Sequence, residues 1–333
     1  MEQETLFFSI ITPTYNRAYI LEKLFNSLNI QTYKNFEWVV GDDGSTDNTE
    51  ELIASFKEKA PFNIRYIKLE HKGKAKAYEV ILNSSKGEYI LSVDSDDALY
   101  SEKTLENMYQ NINSLEPDKN FWGACGCYVD QYNITFPDMD IPFIDITKEN
   151  FFDMWANGSK YLNCKWIHKN GLFKAYNHDD IKEFLPYYPE IVDFMRNVIE
   201  SKDFYYRLFN EPIIDYIRSG EDCVSLIKPN LMYWYETIGI INLFFKHNLH
   251  KKYFKIINKK ISLLANTLYK EKDFLMTLKA LQDMRSQLIF IFYYFIGNKI
   301  SLILKNVFAV YNRENHKVFC ILGIKIKIKR KNS

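Results

Sequence analysis

Phe36-Glu37-Trp38-Val39-Val40-Gly41-Asp42-Asp43-Gly44-Ser45-Thr46-Asp47 is the stretch on which the fold turns. Its first half is short, mostly apolar, and rich in aromatic and β-branched side chains, the composition of a strand. Its second half crowds Asp, Gly, Ser and Thr together, which suits a tight turn and the N-cap of a following helix. A strand that ends in such a turn and runs on into a helix is the repeating unit of a parallel sheet.

The flanking sequence repeats the unit. Upstream, Phe7 to Thr12 reads as a strand, and Asn16 and Arg17 open a helix to about Asn29, with Ile20, Leu21, Leu24, Phe25 and Leu28 at helical spacing. Downstream, a helix over Thr49 to Lys59, a strand over Ile64 to Leu69, a helix over Lys74 to Ser85 and a strand over Tyr89 to Val93 follow in turn. The last strand ends at Asp94-Ser95-Asp96-Asp97. Two acidic loops thus stand at carboxyl ends of strands, where open α/β sheets take their ligands.

From Asn120 to Asp145 the pattern is one of strands and loops, while Phe151 to Leu172 matches neither period. A helix from Glu190 to about Ser201 and a strand over Ile213 to Ile217 complete an α/β domain over 1–228, with halves 1–110 and 111–228. Residues 229–333 change to long helical periodicity and are expected to form a mostly helical extension. It closes on Ile324-Lys325-Ile326-Lys327-Ile328-Lys329-Arg330-Lys331, an alternation that places Ile on one strand face and Lys on the other.

Composition narrows the class of protein. A hydrophobic share of 47% and a charged share of 26% over 333 residues are those of a globular chain with a large core. A net charge of +1 argues against a nucleic-acid partner. Cys125, Cys127, Cys164, Cys223 and Cys320 lack the paired spacing of zinc sites or disulfide frameworks and read as reduced thiols. The start has no apolar secretory core, and Ser286 to Asn298 is uncharged but shorter than the ~18 residues of a membrane span. The tail is basic, with Lys299, Lys305, Arg313, Lys317, Lys325, Lys327, Lys329, Arg330 and Lys331 against Glu314 alone. Beside an aromatic helix over Leu288 to Ile296, it would suit contact with an anionic membrane, or else a solvated strand edge.

Asp94, Asp96 and Asp97 offer the oxygen ligands that Mg²⁺ or Mn²⁺ prefers, though Asp serves turns and caps equally well. His168 and His178 are isolated and read as structural. Trp155, Tyr161 and Trp166 could form a sugar platform, but such aromatics more often fill a core.

Ile10-Ile11-Thr12-Pro13-Thr14-Tyr15-Asn16-Arg17, then Gln31-Thr32-Tyr33, Asp42 to Asp47, and Gly87-Glu88-Tyr89-Ile90 through Asp94-Ser95-Asp96-Asp97, resemble family 2 glycosyltransferases in order and spacing. The resemblance covers about residues 7–110 closely and extends to about 225. It implies a GT-A fold and an inverting, metal-dependent transfer from a nucleotide-sugar, a UDP-sugar above all. Pro13, Thr14 and Tyr15 would line the nucleotide pocket together with Arg17, and Asp43 would meet the uracil edge. Asp94 and Asp96 would lie by the ribose and metal, with Ser95 beside the nucleotide and Asp96 or Asp97 as direct ligand of Mg²⁺ or Mn²⁺. His71-Lys72-Gly73-Lys74-Ala75-Lys76-Ala77 looks like a Gly-Lys-rich stretch beside the donor, with Lys74 toward phosphate or nucleotide. Tyr78 and Glu79 depart from the family's pattern there.

Pro189-Glu190-Ile191-Val192-Asp193 resembles the acidic residue that opens a helix in these enzymes, which makes Glu190 the candidate base. A Glu in a helix's first turn also has a purely structural explanation. Asp193 is the alternative one turn on, and Glu221-Asp222 reads as a loop near the site. The acceptor implied is a saccharide or lipid-linked saccharide of a cell-surface glycan (capsule, lipopolysaccharide or exopolysaccharide), met at the inner, cytoplasmic face of the membrane. The competing readings are a non-catalytic nucleotide-binding relative and a nucleotidyltransferase. The latter would want a Gly-rich basic loop where Thr12-Pro13-Thr14-Tyr15-Asn16 stands. A processive polymerase would want membrane spans and a Gln-x-x-Arg-Trp segment.

Overall fold

Alternation along the first strands sorts their side chains onto two faces, and both faces are covered. A computed structural model describes residues 6–115, 117–156, 159–172, 189–216, 237–238, 240–242, 244–245, 257, 260–261, 308–313, 316–321 and 324–329, with the backbone alone at 189–193 and from 308 onward. Strands β1 (Phe8–Thr14) and β2 (Phe36–Asp42) are buried at every position, as parallel strands with helices on both sides should be. Ile10, Trp38 and Val40 pack with Leu21, Leu24 and Phe25 of α1 (Ala18–Asn29) and Ile53 and Phe56 of α2 (Thr49–Lys59). The intervening Ile11 and Val39 pack with Tyr78, Ile81 and Leu82 on the opposite face.

Those last three belong to α3 (Lys74–Ser84), which lies between β3 (Asn63–Lys68) and β4 (Tyr89–Ser92) in the chain. Tyr78 is 2% exposed. The departure from the family pattern at this position therefore fills the core and adds nothing to the site surface.

The chain continues through β5 (Ala98–Leu99), α4 (Thr104–Asn113), β6 (Phe121–Asp130), β7 (Thr135–Phe136), β8 (Phe143–Thr147), α5 (Lys148–Ala156), a 3₁₀ turn (Lys160–Leu162), β9 (Lys165–Lys169), α6 (Pro189–Glu200) and β10 (Tyr205–Tyr216). Among the described residues the sheet has ten strands in the order β3-β2-β1-β4-β9-β6-β10-β5, with β7 paired to β6 and β8 to β10. Its first four strands are parallel, with Thr14 level with Asp42 and Ile11 level with Ser92. Strand β1 thus has β2 on one side and β4 on the other, and the crevice lies at their carboxyl ends. Strand β9 runs antiparallel to both β4 and β6, which returns its start, Lys165, to that same end.

The described architecture is the mixed α/β sheet expected of a GT-A core. Of residues 151–172, which matched no period, the described ones hold most of α5, a 3₁₀ turn and a central strand. The chain divides into two compact units, Met1–Met232 and Tyr233–Ser333. In the second, helical residues include buried Ile238, Ile240, Ile241 and Phe244. This unit is not helical throughout, because β11 (Phe308–Arg313), β12 (His316–Ile321) and β13 (Ile324–Lys329) form a three-stranded antiparallel sheet. The Ile/Lys alternation of β13 signals its part of that sheet.

Among the described residues, no helix is long and apolar enough to cross a membrane. The segments Ser286 to Asn298 and Leu288 to Ile296, the pair Glu221-Asp222, and His178 lie outside the described residues.

Candidate active site

Two turns at the ends of β1 and β2 lock into each other. Asn16 adopts φ +52, a left-handed conformation that Asn tolerates better than most residues. Its backbone N–H donates to Ser45 Oγ at 2.8 Å, and its side-chain oxygen accepts from the Thr46 N–H at 2.8 Å. Asp47 accepts from the Ala18 N–H at 3.0 Å and from the Thr49 hydroxyl at 2.5 Å, so one carboxylate serves the starts of both α1 and α2. Asp42 accepts from the Ser45 N–H at 2.7 Å and from the Tyr66 hydroxyl. Asp42 to Asp47 is thus a turn and cap as its composition predicts, and the turn leaves Asp43 beside Tyr15.

Asp43 is only 3% exposed, and its carboxylate is already engaged. It accepts from the Lys72 N–H at 2.8 Å and the Gly73 N–H at 2.9 Å, and it lies 2.8 Å from His71 Nδ1. The His71 imidazole stacks on the Tyr15 ring, with centroids 4.2 Å apart and an interplanar angle of 17°. Two glycines permit this approach. Gly44, at φ +82, would carry any Cβ to within 2.9 Å of the His71 backbone nitrogen, and Gly73 takes φ +94 just before α3.

The acidic loop after β4 is matched by cations from three other elements. Lys74, the first residue of α3, reaches Asp94 at 3.0 Å, while Arg17 reaches Asp96 at 3.3 Å and donates to Ser95 Oγ at 3.1 Å. Burial by itself would raise the Asp94 carboxyl, but Lys74, Lys165 and Arg17 outweigh it and hold the group down to about 2. Asp97 is 4% exposed. Its burial dominates over the attraction of Lys165, and repulsion from Asp94 and Asp96 adds to it, pushing the carboxyl up to about 7. The three aspartates therefore differ: Asp94 and Asp96 are paired and partly exposed, while Asp97 is buried and able to hold a proton near neutrality.

The structure gathers most of the predicted site. Pro13 and Thr14 end β1 opposite Gly41 and Asp42, and Thr14 Oγ1 is a buried atom without a hydrogen-bond partner. Tyr15 is 41% exposed. Arg17, Lys74, Asp94, Ser95 and Asp96 form one ion-paired group, with Asp97 behind them. Glu190 sits in the first turn of α6, and its side chain lies outside what is described. His71 and Lys165 emerge only from the structure. His71 sits within the Gly-Lys-rich stretch, whereas nothing local in the sequence marks Lys165. His168 is buried with Nδ1 2.8 Å from the Tyr206 hydroxyl, and Trp166 packs on Phe194 and Tyr206, so both act as packing groups.

Among the described residues, no group of three His, Cys, Asp or Glu side chains forms a ready metal site. Asp97 is buried, while Asp94 is held by Lys74 as Asp96 is by Arg17. Asp96, with its carboxylate 31% exposed, can accept a cation if Arg17 turns away. Mg²⁺ and Mn²⁺ fit such a donor set where substrate phosphates and water complete the coordination.

Comparison with known proteins points the same way. The chain is 38% identical over 110 residues to glycosyltransferase GlyA of Streptococcus pneumoniae, a match covering 33% of this chain and 16% of that protein. It is 37% identical over 113 residues to the poly(ribitol-phosphate) beta-N-acetylglucosaminyltransferase TarS of Staphylococcus aureus, covering 33% of this chain and 20% of that one. The matched stretches thus span a fifth or less of these relatives' own lengths. The crystal structure of S. aureus TarS 1-349 in complex with UDP-GlcNAc superposes with a TM-score of 0.55 at 18% identity, covering 98% of this chain and 100% of that chain, and so shares its fold. The profile of Glycosyl transferase family 2 matches residues 9–183, more than half of the chain and all three motif-bearing strand ends. The chain belongs to glycosyl transferase family 2.

Proposed function

We propose that the chain transfers a sugar from a UDP-sugar to a saccharide or lipid-linked saccharide acceptor, with inversion at the anomeric carbon. The observation that carries this reading is the convergence of Tyr15, Asp43, Lys74, Arg17 and the Asp94–Asp97 loop at the carboxyl ends of β1, β2 and β4. The presence of UDP-GlcNAc in a structure of the same fold supports a UDP-sugar as donor and makes UDP-GlcNAc the first to test.

In this mechanism Tyr15 and Asp43 receive the base. Lys74 and Arg17, freed from Asp94 and Asp96, meet the diphosphate, whose charge rises as the bond to the anomeric carbon breaks. Glu190 takes the proton of the acceptor hydroxyl while that oxygen attacks from the face opposite the diphosphate. Asp96, rather than Asp97, would hold Mg²⁺ or Mn²⁺. The cation would supply further charge neutralisation at the leaving diphosphate.

The acceptor would belong to a cell-surface glycan, with the enzyme at the inner face of the membrane. The basic tail favours such a place, since Lys325, Lys327 and Lys329 share one face of β13 and could meet anionic headgroups.

The test is UDP release by purified full-length protein from a panel of UDP-sugars, with and without Mn²⁺, beside Asp96→Ala and Glu190→Ala. The expected result is metal-stimulated release that Asp96→Ala abolishes, with transfer to acceptor falling by about 10²–10⁴-fold in Glu190→Ala. No release from any UDP-sugar, together with no metal-dependent UDP binding, would sink the reading.

A further inference from the structure

We propose that His71 is the gate of the donor's base pocket, an internal ligand that the incoming nucleobase must displace. The inference rests on the reading of Tyr15 and Asp43 as the base site. It starts from what occupies those two residues here. A pyrimidine held by them would lay its ring on Tyr15 and direct an imide N–H at the Asp43 carboxylate. The His71 imidazole makes both contacts now, 4.2 Å from the Tyr15 ring and 2.8 Å from the carboxylate. Asp43, at 3% exposure, has no free face to offer a ligand while His71 stays.

The segment is built to be displaced. The His71 side chain is 57% exposed and faces no packed core, so its departure leaves no buried cavity. Gly73, at φ +94 and with nothing within 4 Å of the point where a Cβ would stand, is a hinge between the latch and Lys74. Lys74, one residue on, holds Asp94, so a rearrangement that frees the base pocket starts next to the cation proposed for the diphosphate. The arrangement also implies selectivity. A base that evicts His71 has to replace both the stack and the N–H donor. Uracil, with a protonated N3, can do so, whereas cytosine, whose N3 is an acceptor, would leave the buried carboxylate facing a lone pair.

In such a two-state pocket the apparent dissociation constant is the intrinsic one divided by the fraction of protein that is open. Removing the latch should therefore tighten nucleotide binding, the reverse of removing a ligand contact. The experiment is calorimetric titration of UDP and CDP into the full-length protein and into His71→Ala and His71→Phe, with thermal melts to verify folding. The expected outcome is a UDP Kd lower by about tenfold in His71→Ala, or about 1.4 kcal/mol. His71→Phe, which keeps the stack but lacks the donor, should fall between, and all three proteins should prefer UDP to CDP. UDP binding that is equal or weaker in His71→Ala would overturn the gate while leaving the donor reading intact. Absence of UDP binding in every variant would overturn the donor reading and the gate with it.

Discussion

Replacing Glu37 should cost more stability than replacing Lys74 in the candidate site. Glu37 lies in β2 and is fully buried, 0% exposed. Its carboxylate accepts from the Ser9 hydroxyl at 2.7 Å, from the Lys86 N–H at 2.8 Å and from Arg65 at 3.1 Å, which ties β1, β2, β3 and the turn before β4 together. In Glu37→Met the methionine keeps most of the volume, but the buried Ser9 hydroxyl loses its acceptor and the part-buried Lys86 N–H keeps only Ser9 Oγ, at 3.2 Å. Ser9 retains its bond from the Gly87 N–H, and Arg65, 24% exposed, retains Ser84 O and can turn toward water. One lost buried hydrogen bond, one weakened part-buried one and a broken ion pair sum to about 3 kcal/mol. In a unit of this size that is about 6–12 °C in Tm. Glu37→Gln keeps an acceptor for Ser9 and Lys86, and should cost about 1 kcal/mol. Urea unfolding followed by circular dichroism measures both. A Glu37→Met variant within about 0.5 kcal/mol of the parent would refute the claim that this network holds the strands together.

Two further outcomes follow from the charges of the fold. Burial, reinforced by Lys165, depresses the His168 imidazole to about 3. Between its unfolded pKa of about 6.5 and that value, the unfolded chain binds a proton that the native state refuses, so stability falls as pH drops through 6.5. The loss at pH 5 is about 2 kcal/mol, and His168→Gln should remove that part of the acid slope between pH 8 and 5 in unfolding titrations. An unchanged slope would mean that the imidazole charges within the fold. Lys74→Met should raise the donor KM about tenfold while changing stability by less than about 1 kcal/mol, since both Lys74 and Asp94 are partly exposed. Steady-state kinetics against a thermal melt separates the two, and a large stability loss with unaltered KM would count against a phosphate role.

Much of residues 1–110 was legible because the rules there are local. A run such as Phe36 to Gly41 must be a strand, an apolar series such as Leu21, Leu24, Phe25 and Leu28 must be one face of a helix, and acids at strand ends must lie near a sheet's ligand edge. The same reasoning left residues 151–172 unassigned. Strand β9 is only five residues long and carries Trp, His and two Lys, so its place in the middle of the sheet comes from pairing with β4 and β6. Likewise, two of the three strands at the chain's C-terminal end went unread, while β13 was marked by its Ile/Lys alternation.

The sequence by itself thus determined the parallel α/β core and the family, and it named candidate site residues as far as Lys74 and the acidic loop. Only the tertiary structure decided their states. Asp94 is held by Lys74 and Asp96 by Arg17, Asp97 is buried, and Asp43 is occupied by His71. The physical reason is distance along the chain. Periodicity and turn chemistry act over a few residues, but Arg17 meets Ser95 across a separation of 78, Lys74 meets Asp94 across 20, and Lys72 meets Asp43 across 29. Such pairs exist only once parallel crossovers have fixed which strand ends are neighbours, and the burial that sets each charge is a property of that assembled crevice.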